Sequence, residues 1–176
     1  ELNLGCPNIW HKEMQKRIVC FDPILVAEVL RQVEIKVGPD AKVSAKFSPF
    51  SDPFALAELA KTIAAFQAVK AVTAVNTFPN AFSYTGKYPS ISPSNGLAGL
   101  AGTAMKPIGL GQVKQLRALL PEHIQIIGVG GVTHGRDIWE YRQNGASAVQ
   151  TATTYLNRHE KVFSSLIDEF LETIEA

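Results

Sequence analysis

Short apolar runs alternate along this chain with longer stretches in which apolar residues recur every three or four positions. The first pattern reads as strand and the second as amphipathic helix. Glu1 to Leu4 reads as the end of a strand, cut off by the turn formers Gly5, Cys6, Pro7 and Asn8. Asp22 to Val33 reads as a helix with Asp22 as cap, Pro23 in the first turn, and Leu25, Val26, Val29, Leu30 and Val33 on one face. Lys42 to Phe47 is the next strand, and Pro53 to Phe66 the next helix, capped by Asp52. Ala71 to Asn76 is a strand. Thr77 to Gly102 is rich in Pro, Ser, Asn and Gly and reads as a long irregular loop, a kind that is usually functional. Lys106 to Leu120 (helix), Gln125 to Val129 (strand), Gly135 to Gln143 (helix), Ser147 to Thr151 (strand) and Lys161 to Ile174 (helix) complete the chain.

This repeat of strand and helix predicts an α/β fold with a parallel sheet. Five strands, each ending in polar residues or glycine, match the layout of a TIM (β/α)8 barrel, whose sites lie at the C-terminal strand ends. A closed barrel takes eight units and about 250 residues. The 176 residues are therefore expected to form one domain, spanning residues 1–176, that holds about the last five units. The chain starts inside a strand without an initiator Met, so a preceding segment is expected. An open doubly wound sheet is the alternative, though a G-x-G-x-x-G fingerprint after the first strand is absent.

Composition narrows the function classes. A net charge of +1 gives no field that would attract nucleic acid or anionic lipid. No apolar run is long enough for a membrane span, and the first residues, with no basic region followed by an apolar stretch, do not read as a signal peptide. Two cysteines, Cys6 and Cys20, suit reduced thiols in the cytoplasm better than a disulfide scaffold. Neither their spacing with His11 nor the scattered His123, His134 and His159 suggests a metal site.

The strand ends present Asn3 with Cys6 and Asn8, Lys46 with Ser48, Asn76 with Thr77, Gly130 with Gly131, and Ala152 with Thr153 and Thr154. Converged on one face, they would supply a thiol, an ammonium, several amides and two loops of small residues whose N–H groups can approach a ligand. The last two loops of a TIM barrel often bind phosphate, although such glycines also make plain tight turns. Lys46, inside a strand, is costly to bury unless it faces a partner or ligand. Cys6 is either a general base or a small buried filler, and Cys20 reads as filler.

Together these segments resemble one family. ELNLGCPN resembles the N-L-S-C-P-N signature of class 1 dihydroorotate dehydrogenases. SAKFSP, AVNT, GLAGLAGTAMKPIGL, IIGVGGV and GASAVQTATTY resemble its later blocks in order. The resemblance implies a TIM barrel that binds FMN and oxidises dihydroorotate to orotate in pyrimidine biosynthesis. It implies that Cys6 is the base, and that Asn3, Asn8 and Asn76, with Thr77 beside them, hold the substrate. Lys46 would lie near the flavin ring, and Gly99, Gly130, Gly131, Ala152 and Thr153 would cradle the cofactor. Homodimers are common among class 1 relatives, and a barrel completed by a partner is the other form expected.

Departures from the pattern are Gly5 in place of the serine, Ala98 to Gly102 in place of G-G-L-S-G, and Ala152 in the last phosphate loop. TAMKPIGL also resembles the flavin domain of dihydropyrimidine dehydrogenase, and NLGCP the N-x-G-C-P of dihydrouridine synthases, which act on tRNA and show basic surfaces. A non-catalytic barrel fragment that needs a partner is the reading of a different class.

Overall fold

The computed structural model describes residues 1–12 and 14–175. Five strands form one parallel sheet: β1 (Leu2–Asn3), β2 (Val43–Phe47), β3 (Val69–Ala74), β4 (Gln125–Val129) and β5 (Ala148–Gln150). Their spatial order is their chain order, β1-β2-β3-β4-β5, with every neighbouring pair parallel. A doubly wound sheet reverses its order at a switch point. This sheet never reverses, so that alternative is set aside.

The two-residue period of the strands separates two chemistries. Ala45, Phe47, Val72, Ala74 and Ile126 are buried beneath the helices. The register brings Asn3 opposite Lys46 and Lys46 opposite Thr73 on the other face. That face curls inward far enough for side chains of the two edge strands to meet: Gln150 Nε2 donates to Glu1 Oε2 at 2.9 Å.

The helices are α1 (Pro23–Val37), α2 (Pro53–Ala64), α3 (Lys106–Leu119), α4 (Gly135–Gln143), α5 (Thr153–Arg158) and α6 (Lys161–Glu175). Asp22 caps α1 by accepting from the Ile24 and Leu25 N–H groups at 3.1 and 3.2 Å. Asp52 caps α2 through the Phe54 N–H at 2.9 Å. Each cap is followed by proline at the first helical position, where no N–H is missed. Helix α1 runs on to Val37 instead of stopping at Val33, because no breaker intervenes before Gly38 at φ +83°. Its last apolar residues, Ile35 and Val37, are exposed, so the buried stripe ends before the helix does. Val26 and Leu30 of α1 join Leu56, Leu59 and Ile63 of α2 in the core, with Val113 and Leu116 of α3. The predicted apolar face of α6 is buried only at Val162 and Leu166, while Phe163, Ile167, Leu171 and Ile174 stay exposed.

Two expectations are corrected. The stretch expected to be one irregular loop contains antiparallel ribbons: Phe78–Ala81 pairs with Ala98–Leu100, and Tyr84–Thr85 pairs with Tyr88–Pro89. The second is a hairpin turning through Gly86 at φ +63°, the left-handed conformation that glycine adopts without penalty. The residues after β5, read as loop, wind into α5. A further ribbon, Trp10–His11 with Met14–Gln15, follows the Cys6 turn. Among the described residues, no helix is long and apolar enough to cross a membrane.

Candidate functional site

A cleft opens at the C-terminal ends of β2 to β5. It is lined by Lys46, Val75 to Thr77, Ala101, Gly102, Met105, Val129 to Val132 and Gln150 to Thr154. Seven of the sequence-predicted residues meet there: Lys46, Asn76, Thr77, Gly130, Gly131, Ala152 and Thr153. Among the described residues, the lining holds one ammonium, from Lys46, and no carboxylate. Such a donor set suits an anionic ligand. It fits a flavin phosphate and the negative charge of a reduced flavin ring, so the residues present are compatible with FMN.

Each wall has a local cause. The turn after β4 is built from Gly130 at φ +132° and Gly131 at φ +66°. A Cβ on Gly131 would come within 2.8 Å of Lys106 Cβ and 2.9 Å of its backbone N, so this turn presses on the start of α3. Tyr141, fully buried, donates its hydroxyl to the Gly130 carbonyl at 2.8 Å. Burial pushes that phenol upward and keeps it protonated as a donor. The last loop is tied to the same turn: Thr151 Oγ1 and Thr154 Oγ1 donate to the Val132 carbonyl at 2.9 and 2.6 Å. Two loops predicted separately are thus one cross-linked wall.

An ion-pair cluster closes the turn from behind. Lys106 Nζ lies 2.5 Å from Asp137 Oδ1 and 2.7 Å from Glu140 Oε2. Asp137 Oδ2 also accepts from the Thr133 and His134 N–H groups at 2.7 and 2.9 Å. Burial alone would raise the Asp137 carboxyl, but the lysine and the N–H donors outweigh it and hold the group below its usual range. A carboxyl depressed in the folded state stabilises above its unfolded value, about 3.9, and that contribution is lost as pH falls through the folded value. Asp137→Asn is expected to lower stability at pH 7 by about 1–2 kcal/mol. The difference from the parent should shrink as the pH is taken below about 4, which chemical denaturation at several pH values will read. An unchanged gap down to acid pH would refute the linkage.

Asn3, Cys6, Asn8 and Gly99 lie outside the cleft lining. Asn3 is nevertheless joined to it, because Asn3 Oδ1 accepts from Asn76 Nδ2 at 2.9 Å and from the Gly5 N–H at 3.0 Å. Cys6 is half-buried on the turn that Asn3 holds, and Asn8 is exposed two residues on. Gly99 sits on the Ala98–Leu100 strand, where a Cβ would run into the Thr77 side chain. Its close approach therefore serves Thr77, a residue of the cleft. Cys20 is wholly buried, and burial pushes its thiol up to about 11.

Sequence reasoning missed Gln150 and Glu1. Gln150 lines the cleft, and Glu1 bonds to both Gln150 and Lys46. The available signal was alternation: Glu1 and Asn3 share one strand face, opposite Leu2 and Leu4. Among the described residues, no three His, Cys, Asp or Glu side chains are grouped to hold a metal.

Comparison with known proteins places the chain in a family. A family model described as dihydroorotate dehydrogenase matches residues 1–174. The chain is 37% identical over 157 residues to a protein named dihydroorotate dehydrogenase B (NAD(+)), catalytic subunit, from Methanopyrus kandleri, covering 87% of this chain and 46% of that protein. It is 30% identical to the dihydroorotate dehydrogenase (fumarate) of Saccharomyces cerevisiae, covering 100% of this chain and 54% of the relative. A crystal structure of DHODH from Eimeria tenella in complex with ferulenol superposes with a TM-score of 0.75 at 17% identity, covering 98% of this chain and 49% of that one. The chain thus spans about half the length of the relatives it matches. With a family model covering all but its last residues, this chain belongs to the dihydroorotate dehydrogenase family.

Proposed function

We propose that residues 1–176 are one domain that supplies the last five β/α units of a TIM-barrel flavoenzyme oxidising dihydroorotate to orotate. The observation that carries this reading is the cleft itself. Lys46, Asn76, Gly130 with Gly131, and Ala152 with Thr153 converge at the C-terminal ends of consecutive parallel strands. Sites of TIM barrels lie on that face. The unreversed strand order and the meeting of Glu1 with Gln150 across the concave side support a barrel segment. The open edges at β1 and β5 and the exposed residues of α6 would be covered by further β/α units or by a partner subunit.

Bound FMN would supply the hydride acceptor. Gly130, Gly131, Ala152 and Thr153 would hold its phosphate edge, with Gly99 supporting Thr77, and Lys46 would place positive charge beside its ring. Asn3 and Asn76, already hydrogen-bonded to each other, would present amides to the pyrimidine, with Asn8 and Thr77 flanking. Cys6, as thiolate, would take the proton from C5 as hydride leaves C6, and the C5–C6 double bond of orotate forms. The electron pair of the C5–H bond becomes the new π bond, so the balance closes.

The direct test is an anaerobic absorbance spectrum of the purified protein before and after dihydroorotate. Flavin bands that bleach on addition are the expected result. Protein that neither carries nor takes up FMN would refute the reading, and bands that persist would refute the substrate.

A further inference from the structure

Three strands of the sheet, β2, β3 and β5, and the residue just before β1 form a polar cluster beside the cleft. Glu1, that residue, is its hub. Glu1 Oε1 lies 3.3 Å from Lys46 Nζ on β2. Glu1 Oε2 accepts from Thr73 Oγ1 on β3 at 2.7 Å and from Gln150 Nε2 on β5 at 2.9 Å. Thr73 has a single hydroxyl proton, and it points at Glu1. Ser44 Oγ, 2.9 Å from Thr73 Oγ1, must therefore be the donor of that second bond. The cluster is a directed chain, Ser44 to Thr73 to Glu1, ending on a carboxylate whose acceptors are engaged on both oxygens.

We propose that Glu1 is a positioning residue for the flavin site: it is the counter-charge that holds Lys46 Nζ at the cleft floor and limits the positive charge presented there. This deepens the proposed function and rests on its FMN reading. The geometry is specific. Lys46 and Gln150 both line the cleft, Glu1 does not, and Glu1 binds both. Thr73 is fully buried, so its hydroxyl must find its partners within the protein, and Glu1 is one of them. The carboxyl responds accordingly. Burial would raise it, but the Thr73 and Gln150 bonds and the Lys46 charge bring it below its usual range, which keeps Glu1 ionised. An anion beside the Lys46 ammonium of the lining sets how strongly that cation can favour a reduced, more electron-rich ligand.

The test uses the protein loaded with FMN, with Glu1→Gln, Lys46→Met and the double variant. Glutamine keeps an acceptor for Thr73 and Lys46 but removes the charge. Glu1→Gln is expected to shift the ratio of affinities for reduced and oxidised FMN by about tenfold toward the reduced form, about 30 mV upward in the two-electron midpoint potential. In the Lys46→Met background the same change should have little effect, because its route through Lys46 is gone. No shift in the single variant, or an equal shift in both backgrounds, would overturn the proposal.

A second measurement needs no cofactor. The Glu1 carboxyl, followed by carbon-13 NMR in the FMN-free protein, should titrate higher in Lys46→Met than in the parent. A titration unmoved by Lys46→Met would refute the pairing itself. If the titration moves but the parent binds no FMN, the flavin reading fails and the role of Glu1 toward that site falls with it.

Discussion

Cys6→Ala is expected to leave FMN bound and to slow flavin reduction by dihydroorotate about 10²- to 10⁴-fold, the range that a positioned general base contributes. The expectation rests on how little the turn depends on the thiol. Asn3 Oδ1 holds the Gly5 N–H at 3.0 Å, and Ser48 Oγ donates to the Gly5 carbonyl at 2.7 Å. Beyond the cysteine, Gln15 Nε2 donates to the Pro7 carbonyl at 2.7 Å, which pins the Trp10–Gln15 ribbon onto the turn. Every one of these bonds survives the loss of Sγ, so the variant should fold and carry cofactor. Cys20 shows the opposite design: it is fully buried, its thiol is held protonated, and it packs with Leu4 and Ile18 in the core. The measurement is anaerobic stopped-flow absorbance of the flavin bands. Reduction at the parent rate would exclude Cys6 as the base.

The contrast between the two cysteines shows what was legible in the sequence. A thiol among turn formers and a thiol inside RIVCFDP differ in local composition, and burial follows that difference. The helices α1 and α2 were legible from their Asp-Pro starts, because cap and first-turn chemistry is local. The parallel sheet followed from strand-helix alternation, and its strands lie in space in their chain order. The hairpin at Gly86 and the ribbon partner of Phe78 were hidden because pairing is decided by residues far apart in the chain, and Pro- and Ser-rich segments obscure the two-residue period. The end of α1 and the burial of α6 were blurred for a related reason. Apolar residues there face solvent, so the stripe that marks a helix no longer marks its burial. At the site, glycine turns and strand-end amides were visible as types. The hub at Glu1 was not, since a carboxylate at a strand start acquires meaning only when Lys46, Thr73 and Gln150 arrive from three other strands.

Gly5→Ala is expected to cost up to about 3 kcal/mol of stability, the upper range for forcing atoms into a filled site. The sequence departs from its family at this position, carrying glycine where the resembling signature has serine, and the structure supplies a packing reason. Gly5 is buried, and its φ is not in the left-handed region, so glycine is not needed there for conformation. It is needed for approach. A Cβ on Gly5 would collide with the backbone N of Ser48 and would lie 2.6 Å from the carbonyl carbon of Phe47. Both are backbone atoms, and neither can swing away as a side-chain tip would. The Cys6 turn is thus seated directly on the end of β2, one residue beyond Lys46 and Phe47, and Ser48 Oγ clasps it by its carbonyl. To admit a methyl group, the turn must lift from β2, weakening the Ser48 bond and displacing Cys6 from its place beside the end of that strand. The variant should therefore lose denaturant midpoint without a change in slope, and its residual folded fraction should reduce flavin more slowly than the parent. A midpoint equal to that of the parent would show that the turn has slack, and that the glycine answers to something other than the close approach of the two backbones.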